Sequence, residues 1–457
     1  MVEVGHTSMS DGGLNSFLFT TPEMSSAFSP EAQLRAMMRF EWALSSALEA
    51  HGLAERGAGA VLKEMLSREF IDVPDLLNQA KNDGNIAIPF VRQLSAAVGQ
   101  RSEPAARSVH LGATSQDLLD TALVLQMREG WQLIETALAN LDAVLLAQVK
   151  SHRHTVMLGR TWLQPGPPVT LGLKLAGTLA ALRRAGERVR TAGDGAFMLQ
   201  FGGAVGTLAS LGEAASAISA HMGQILELKE AALPWHAQRD RLVAMVQMLA
   251  ILTGTLAKLG ADIALLMQAE VGEVTEGGDG HGGSSTMPQK RNPVGCAALQ
   301  AIHARMPGLA ATMLLAMPQE HERGLGLWQA EWETVPDAFR LASASIAYAI
   351  DLTRNLKVHP DRMQANMDAM LGLPLAEAVS ASLAPKIGRT AANEILRRAT
   401  VEATRQNRQL SDVLKEKPEA TAHLTHAEID RLLDPHDYLG SAERFIANVI
   451  GDDNAHI

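Results

Sequence analysis

The chain reads as an all-α protein of three helical domains with a long central helical bundle, and three observations predict this. Prolines are clustered: none occurs in residues 105–164, 169–233 or 235–287. Within those windows apolar residues recur every three or four positions, as in Leu242, Met245, Leu249, Leu252, Leu256, Leu259, Ile263 and Leu266, which is a helical stripe. The apolar palette is aliphatic. Ten Phe, six Trp and two Tyr stand against 20 Met and abundant Ala and Leu, a composition that favours helix over sheet.

Residues 1–111 form the first domain, with short helices broken by Pro22, Pro30, Pro74, Pro89 and Pro104. Residues 112–356 form the central bundle. The stripe that starts at Leu242 continues for about 30 residues, a helix roughly 45 Å long. Helices of that length pack in bundles rather than alone. The stripes are also broad, so the bundle is expected to self-associate to cover its outer faces. Residues 357–457 return to short helices, with turn signals at LGLP (371–374) and LDPHDY (433–438). No internal repeat, low-complexity tract or convincing strand series is evident.

Composition narrows the function. A net charge of −10 argues against general nucleic-acid binding, which needs a basic surface. It leaves room for an anionic substrate, which responds to local charge. The single Cys296 excludes an internal disulfide or a Cys-based metal cluster and fits a reducing cytosol. The N-terminus MVEVGHTSMSDGG has no apolar signal core, and the longest uncharged stretch, residues 195–212, is too polar to span a membrane. The expectation is a cytoplasmic protein with no membrane or nucleic-acid partner.

The least economical stretch is EGGDGHGGSSTMPQKRNPVGC, residues 276–296. Its glycines make it entropically costly to order, which suits a loop that closes over a substrate. Ser284 and Ser285 follow the glycines, and Lys290 comes six residues after Ser284. A serine acts as a base only where N–H donors, a cation and exclusion of water stabilise its oxyanion. A flexible linker would explain EGGDGHGGSS but not the continuation TMPQKRNP, which Pro288 and Pro293 stiffen.

GSSTMPQKRNP resembles the signature loop of the fumarase/aspartase superfamily over eleven contiguous positions. The resemblance implies a shared helical bundle, a homotetramer with active sites shared between chains, and a catalytic serine six residues before the lysine. That is Ser284, with Ser285 the alternative. VHLGATSQDLLDTA (109–122) resembles the first conserved region, whose Thr-Ser pair binds a carboxylate, implicating Thr114 and Ser115 with His110 and Gln116 nearby. Read alone, T-S-x-D before an apolar run is a helix N-cap with Asp117 in the first turn; a helix N-terminus also attracts anions. GRTWLQPGPPVTLGLKLAG (159–177) resembles the second region, with Trp162 where many relatives carry histidine.

GRTWLQ resembles one branch, the bacterial 3-carboxy-cis,cis-muconate cycloisomerases, and that likeness runs along nearly the whole chain. It includes LQFGGAVGTLASLG (199–212), PWHAQRDRL (234–242) and MPQEHERGLGLWQAEWETVPD (317–337). Pro165 and Gly166 depart from the His-Ala typical of that branch. The resemblance implies lactone closure of a small tricarboxylate, a step of protocatechuate breakdown, through an enediolate and without a cofactor. Ser284 would transfer the proton at carbon, with Lys290 and Asn292 shaping its surroundings. Arg323 and Lys290, then Arg160 and Arg239, would meet the carboxylates. Trp162, Gln164, Ser285 and Met287 complete the implied substrate-binding set.

Other features read as structural. His152 and His154 stand i, i+2, which on a helix puts them on different faces, and no carboxylate completes a metal set. GGAVGT (202–207) lacks the strand and lysine of a nucleotide loop and reads as a tight turn. Trp328 and Trp332 read as packing residues on one helix face. Adenylosuccinate lyase, the nearest rival, expects histidine at Trp162 and arginine at Trp332. A lyase for another succinate derivative is a second rival. A structural protein, like the lens crystallins of the superfamily, would have no reason to keep the serine loop.

Overall fold

The computed structural model describes residues 15–277, 282–283, 286–287 and 289–451. The five longest helices are Ser115–Ser151, Leu171–Ala196, Asp240–Leu266, Val294–Leu315 and Glu331–Arg354. The first three lie in the proline-free windows. The stripe expected from Leu242 is the buried face of Asp240–Leu266, and each of its eight residues is at most 4% exposed. Asp240 opens that helix, where a carboxylate offsets the positive end of the helix dipole. The same helix is long and apolar enough to cross a membrane, and 56% of its most apolar window is buried inside the protein. The all-α reading holds.

The chain divides into two compact units. One comprises residues 1–138, 185–254 and 301–347, the other residues 139–184, 255–300 and 348–457. This division cuts the long helices, whereas the three-part division of the sequence follows chain order.

In the first unit, helix Pro30–Ala50 buries Phe40, Leu44 and Leu48. Ser29 and Pro30 start it, the serine hydroxyl accepting the Ala32 N–H at 3.1 Å, as an N-cap does. Phe40 meets Phe201 edge-on at 6.3 Å, and Phe28 meets Phe339 at 5.3 Å. Residues 202–207 form the expected turn, with Gly203 and Gly206 at positive φ.

The second unit contains a feature the sequence did not advertise: a hairpin of Val156–Thr161 and Gln164–Thr170, antiparallel and closed by Thr161 opposite Gln164. Two-residue hairpin turns favour Asn-Gly because both positions need positive φ. Here Trp162 and Leu163 occupy them, at φ 54° and 65°, and three prolines stand in the second strand, where they are disfavoured. Those choices hid the hairpin. Val156 and Leu158 bury one of its faces against Met367. The C-terminal short helices share their own core, built on Val379, Leu383, Leu396, Leu410 and Leu414.

Gly172 shows how closely this unit is assembled. A Cβ there would stand 2.7 Å from both the Arg153 Cα and the His152 carbonyl oxygen, and the Gly172 N–H donates to that same oxygen at 2.8 Å. Gly177, on the same helix, has nothing within 4 Å of its Cβ position. Gly172→Ala is expected to destabilise the fold by about 1–3 kcal/mol through overpacking. Gly177→Ala should be neutral or stabilising by about 0.5–1 kcal/mol. Urea unfolding midpoints of the two variants test this, and equal midpoints would contradict the close approach.

Candidate active site

In the first unit the turn HLGATSQD leads into helix Ser115–Ser151, and Asp117 in its first turn organises what surrounds it. Asp117 is fully buried. Its Oδ2 accepts the Thr114 N–H at 3.0 Å and the Gly203 N–H at 2.8 Å. Its Oδ1 accepts the Gly202 N–H at 3.0 Å and the Gln200 amide at 3.2 Å, and lies 2.7 Å from His236 Nε2. The Thr114 contact is half of a capping box, with aspartate replacing the usual glutamate. The helix-start reading of T-S-x-D is what these bonds describe, and Thr114 and Ser115 stand half-buried at that N-terminus. Gly203 is required for the approach: its Cβ would lie 2.8 Å from the Gly112 carbonyl oxygen, at φ +67°.

His110 precedes this turn in the left-handed region, at φ 58°. Its N–H donates to Glu41 Oε2 at 2.8 Å, and its Nδ1 lies 2.7 Å from Glu41 Oε1. Burial pulls the imidazole pKa down, but the Glu41 carboxylate and Asp117 overcome it and hold the ring above its usual value.

Gln116 is buried and donates to Asp120 Oδ2 at 3.1 Å and to the His236 carbonyl at 2.8 Å. Asp120 in turn receives Arg239 Nη1 at 2.7 Å and Nη2 at 3.0 Å, and the Trp328 indole N–H at 3.0 Å. Arg239 is 1% exposed. It also donates to Glu331, through Nη2 at 2.5 Å and Nε at 3.0 Å, and stacks over Trp235 at 4.9 Å. Burial pushes the Glu331 carboxyl up against the pull of Arg239. The donors of Arg239 are directed at these two carboxylates, so it braces the turn from behind. Trp328 and Trp332 meet edge-to-face at 5.0 Å, although Trp328 lies in the turn before helix Glu331–Arg354 rather than on it. Arg323 donates to the Ala204 carbonyl at 2.9 Å, next to the glycines that Asp117 holds. The first unit therefore brings together His110, Thr114, Ser115, Gln116, Arg239 and Arg323.

In the second unit Arg160 projects from the hairpin and pairs with both oxygens of buried Glu273, at 2.6 and 3.0 Å. Asn366 donates to the same carboxylate at 2.8 Å. Trp162 is 98% exposed at the hairpin tip, with Gln164 exposed beside it. Ser284 and Ser285 lie outside the described residues. On the flanks of their loop, the Asn292 N–H donates to the Gly282 carbonyl at 2.8 Å and the Lys290 N–H to that of Met287 at 3.0 Å; Lys290 and Met287 are exposed. A Cβ at Gly282 would fall 2.2 Å from the Asn292 carbonyl oxygen, so only glycine fits. Glu276 caps the helix that follows the loop, accepting the Gly295 N–H at 3.1 Å and the Cys296 N–H at 2.9 Å. Burial, with Glu276 adding to it, pushes the Cys296 thiol up, which disfavours the thiolate that a nucleophile needs. Among the described residues no cluster of His, Cys, Asp and Glu could hold a metal ion.

The carboxylates Glu41, Asp120, Glu273, Glu276 and Glu331 were not singled out in the sequence. No spacing rule marks them, because the partners that fix them lie mostly far along the chain, 69 residues away for Glu41, 119 for Asp120 and 113 for Glu273.

The chain resembles known proteins along nearly its whole length. Residues 17–308 match the family described as Lyase, and residues 372–449 match the adenylosuccinate lyase C-terminus. The 3-carboxy-cis,cis-muconate cycloisomerase of Pseudomonas aeruginosa is 45% identical over 96% of this chain and 95% of its own length. The crystal structure of 3-carboxy-cis,cis-muconate lactonizing enzyme from Pseudomonas putida superposes with a TM-score of 0.92 at 44% identity, over 96% of this chain and 98% of that one. The nitrosuccinate lyase of Streptomyces davaonensis is 37% identical over 96% of this chain and 95% of its own. The chain belongs to the lyase family, in the company of the bacterial 3-carboxy-cis,cis-muconate cycloisomerases.

Proposed function

We propose that the protein converts 3-carboxy-cis,cis-muconate to a carboxymuconolactone. A carboxylate oxygen of the substrate adds to one end of an alkene and forms the C–O bond. The alkene pair moves onto the carbon beside another carboxylate, giving an enediolate, and that carbon takes a proton. Donors and cations set around the enediolate lower the barrier more than ground-state binding does. Ser284 transfers the proton at carbon, giving it in the lactone direction and taking it in reverse; Lys290 and Asn292 set its environment, with Ser285 and Met287 alongside. Thr114, Ser115, Gln116, His110 and Arg323 meet one end of the tricarboxylate, with Arg239 bracing them from behind. Arg160, Trp162 and Gln164 approach on the hairpin. The working assembly is a cytoplasmic homotetramer whose sites draw on several chains, without cofactor, nucleic acid or membrane.

The observation that carries this reading is Trp162 at the exposed hairpin tip. An indole exchanges no proton at neutral pH. Lactone closure needs no second acid, because the attacking oxygen is already ionised, whereas a lyase that expels a poor leaving group does need one. The 37% identity with a nitrosuccinate lyase favours, as the second reading, elimination from a succinate derivative.

Purified protein is expected to consume 3-carboxymuconate with loss of the diene absorbance, and to leave nitrosuccinate and adenylosuccinate untouched. Ser284→Ala should lower kcat on the order of 10²–10⁴-fold with an unchanged unfolding midpoint. Near-normal turnover in that variant would remove Ser284 from the mechanism. Arg323→Ala should raise KM about tenfold, the loss of roughly one charge-assisted hydrogen bond, with kcat changed far less. An unaltered KM would take Arg323 out of the site.

A further inference from the structure

Glu41 lies on helix Pro30–Ala50 among Phe40 and Leu44 and is fully buried, a costly place for a carboxylate unless it is paired. Its two oxygens take two donors from one residue, the backbone N–H and the ring Nδ1 of His110. That double capture requires His110 to sit in the left-handed region, where a non-glycine residue is held only if its surroundings insist. One turn along the same helix, Ser45 bonds the Ser108 hydroxyl at 2.6 Å, and Ser108 also donates to the Ala105 carbonyl at 2.7 Å. The stretch before His110 is thus pinned to the helix that carries Glu41.

With Nδ1 committed to Glu41, Nε2 is the nitrogen left over, and it has no partner among the described residues. The ring stays partly open, its side chain 18% exposed, four residues from Thr114. A carboxylate on one imidazole nitrogen fixes the tautomer and favours the charged ring.

We propose that Glu41 is a positioning residue: by holding the backbone N–H and Nδ1 of His110 it turns Nε2 outward, where its N–H grips a carboxylate of the substrate. The proposal rests on the tricarboxylate reading of the site and assigns one of its cations. Two acidic groups face the ring, Glu41 from helix Pro30–Ala50 and Asp117 from helix Ser115–Ser151. Both favour its protonation. Because the folded pKa lies above the ordinary 6.5, the cation persists to higher pH, and its grip is lost as pH rises through the folded value.

Propane-1,2,3-tricarboxylate, a tricarboxylate with no alkene to react, serves as the binding probe, measured calorimetrically on the full-length protein across pH. Wild type should take up a proton on binding it above the folded pKa of His110. Glu41→Gln keeps the size and an acceptor for the backbone N–H but removes the charge. It should weaken binding about tenfold near neutral pH and move the loss of affinity to lower pH, with KM raised and kcat changed less than about threefold. His110→Gln should abolish the proton uptake and keep its fold even if Glu41→Gln does not. Wild-type pH profiles in both variants would overturn the proposal alone. A wild type that neither binds the probe nor turns over carboxymuconate would instead sink the substrate reading, and the proposal with it.

Discussion

The carboxylate of Asp117 gathers donors from four places in the sequence: the Thr114 and Gly202–Gly203 backbones, the Gln200 amide and His236. A buried ionised carboxylate is tolerated only when its lone pairs are filled, and bonds of this charged kind are about twice as strong as neutral ones. Filling them here fixes the entry to the longest helix, the glycine turn at 202–207 and the PWH segment against one another. The half-buried Thr114–Ser115 corner is presented to solvent as a consequence, and Arg323 is fastened to the same turn through Ala204.

The same device recurs. Glu41 ties the His110 turn to helix Pro30–Ala50, Glu273 holds Arg160 and thus the hairpin base, and Glu276 joins the two flanks of the serine loop. Each carboxylate is spent on loops that carry candidate site residues. Arg239 is the counterpart of opposite sign, a guanidinium whose forked donors match two carboxylates at once. Such pairs are weak evidence for net stability; what they supply is registration of polar turns in an Ala- and Leu-rich scaffold that has few specific contacts of its own.

Much of this was legible in the sequence. The stripe from Leu242 to Leu266 specified its helix because nothing but burial decides where those side chains go. The eleven residues from Gly283 to Pro293 identified the family because a loop that must serve chemistry admits few substitutes. The hairpin was hidden because Trp162 and Leu163 accept positive φ where glycine or asparagine is expected, a local violation at an exposed tip. Arg239 and Arg160 were picked as carboxylate-binding cations; in the structure both face internal carboxylates, since an arginine's charge is visible in sequence and its partner is not. Glu41 and His110 are 69 residues apart, and no spacing rule links them.

The account depends most on Asp117 accepting from all its donors at once. Asp117→Asn is nearly isosteric, yet whichever way the amide turns, its NH₂ group confronts at least two N–H donors. Each unsatisfied donor costs about 1–3 kcal/mol. Amide hydrogen exchange in the 200–208 and 110–116 segments, followed with steady-state kinetics, tests this directly. The account predicts faster exchange in both segments together and a fall in kcat/KM with global unfolding still cooperative. Exchange and kcat/KM at wild-type values in Asp117→Asn would contradict it.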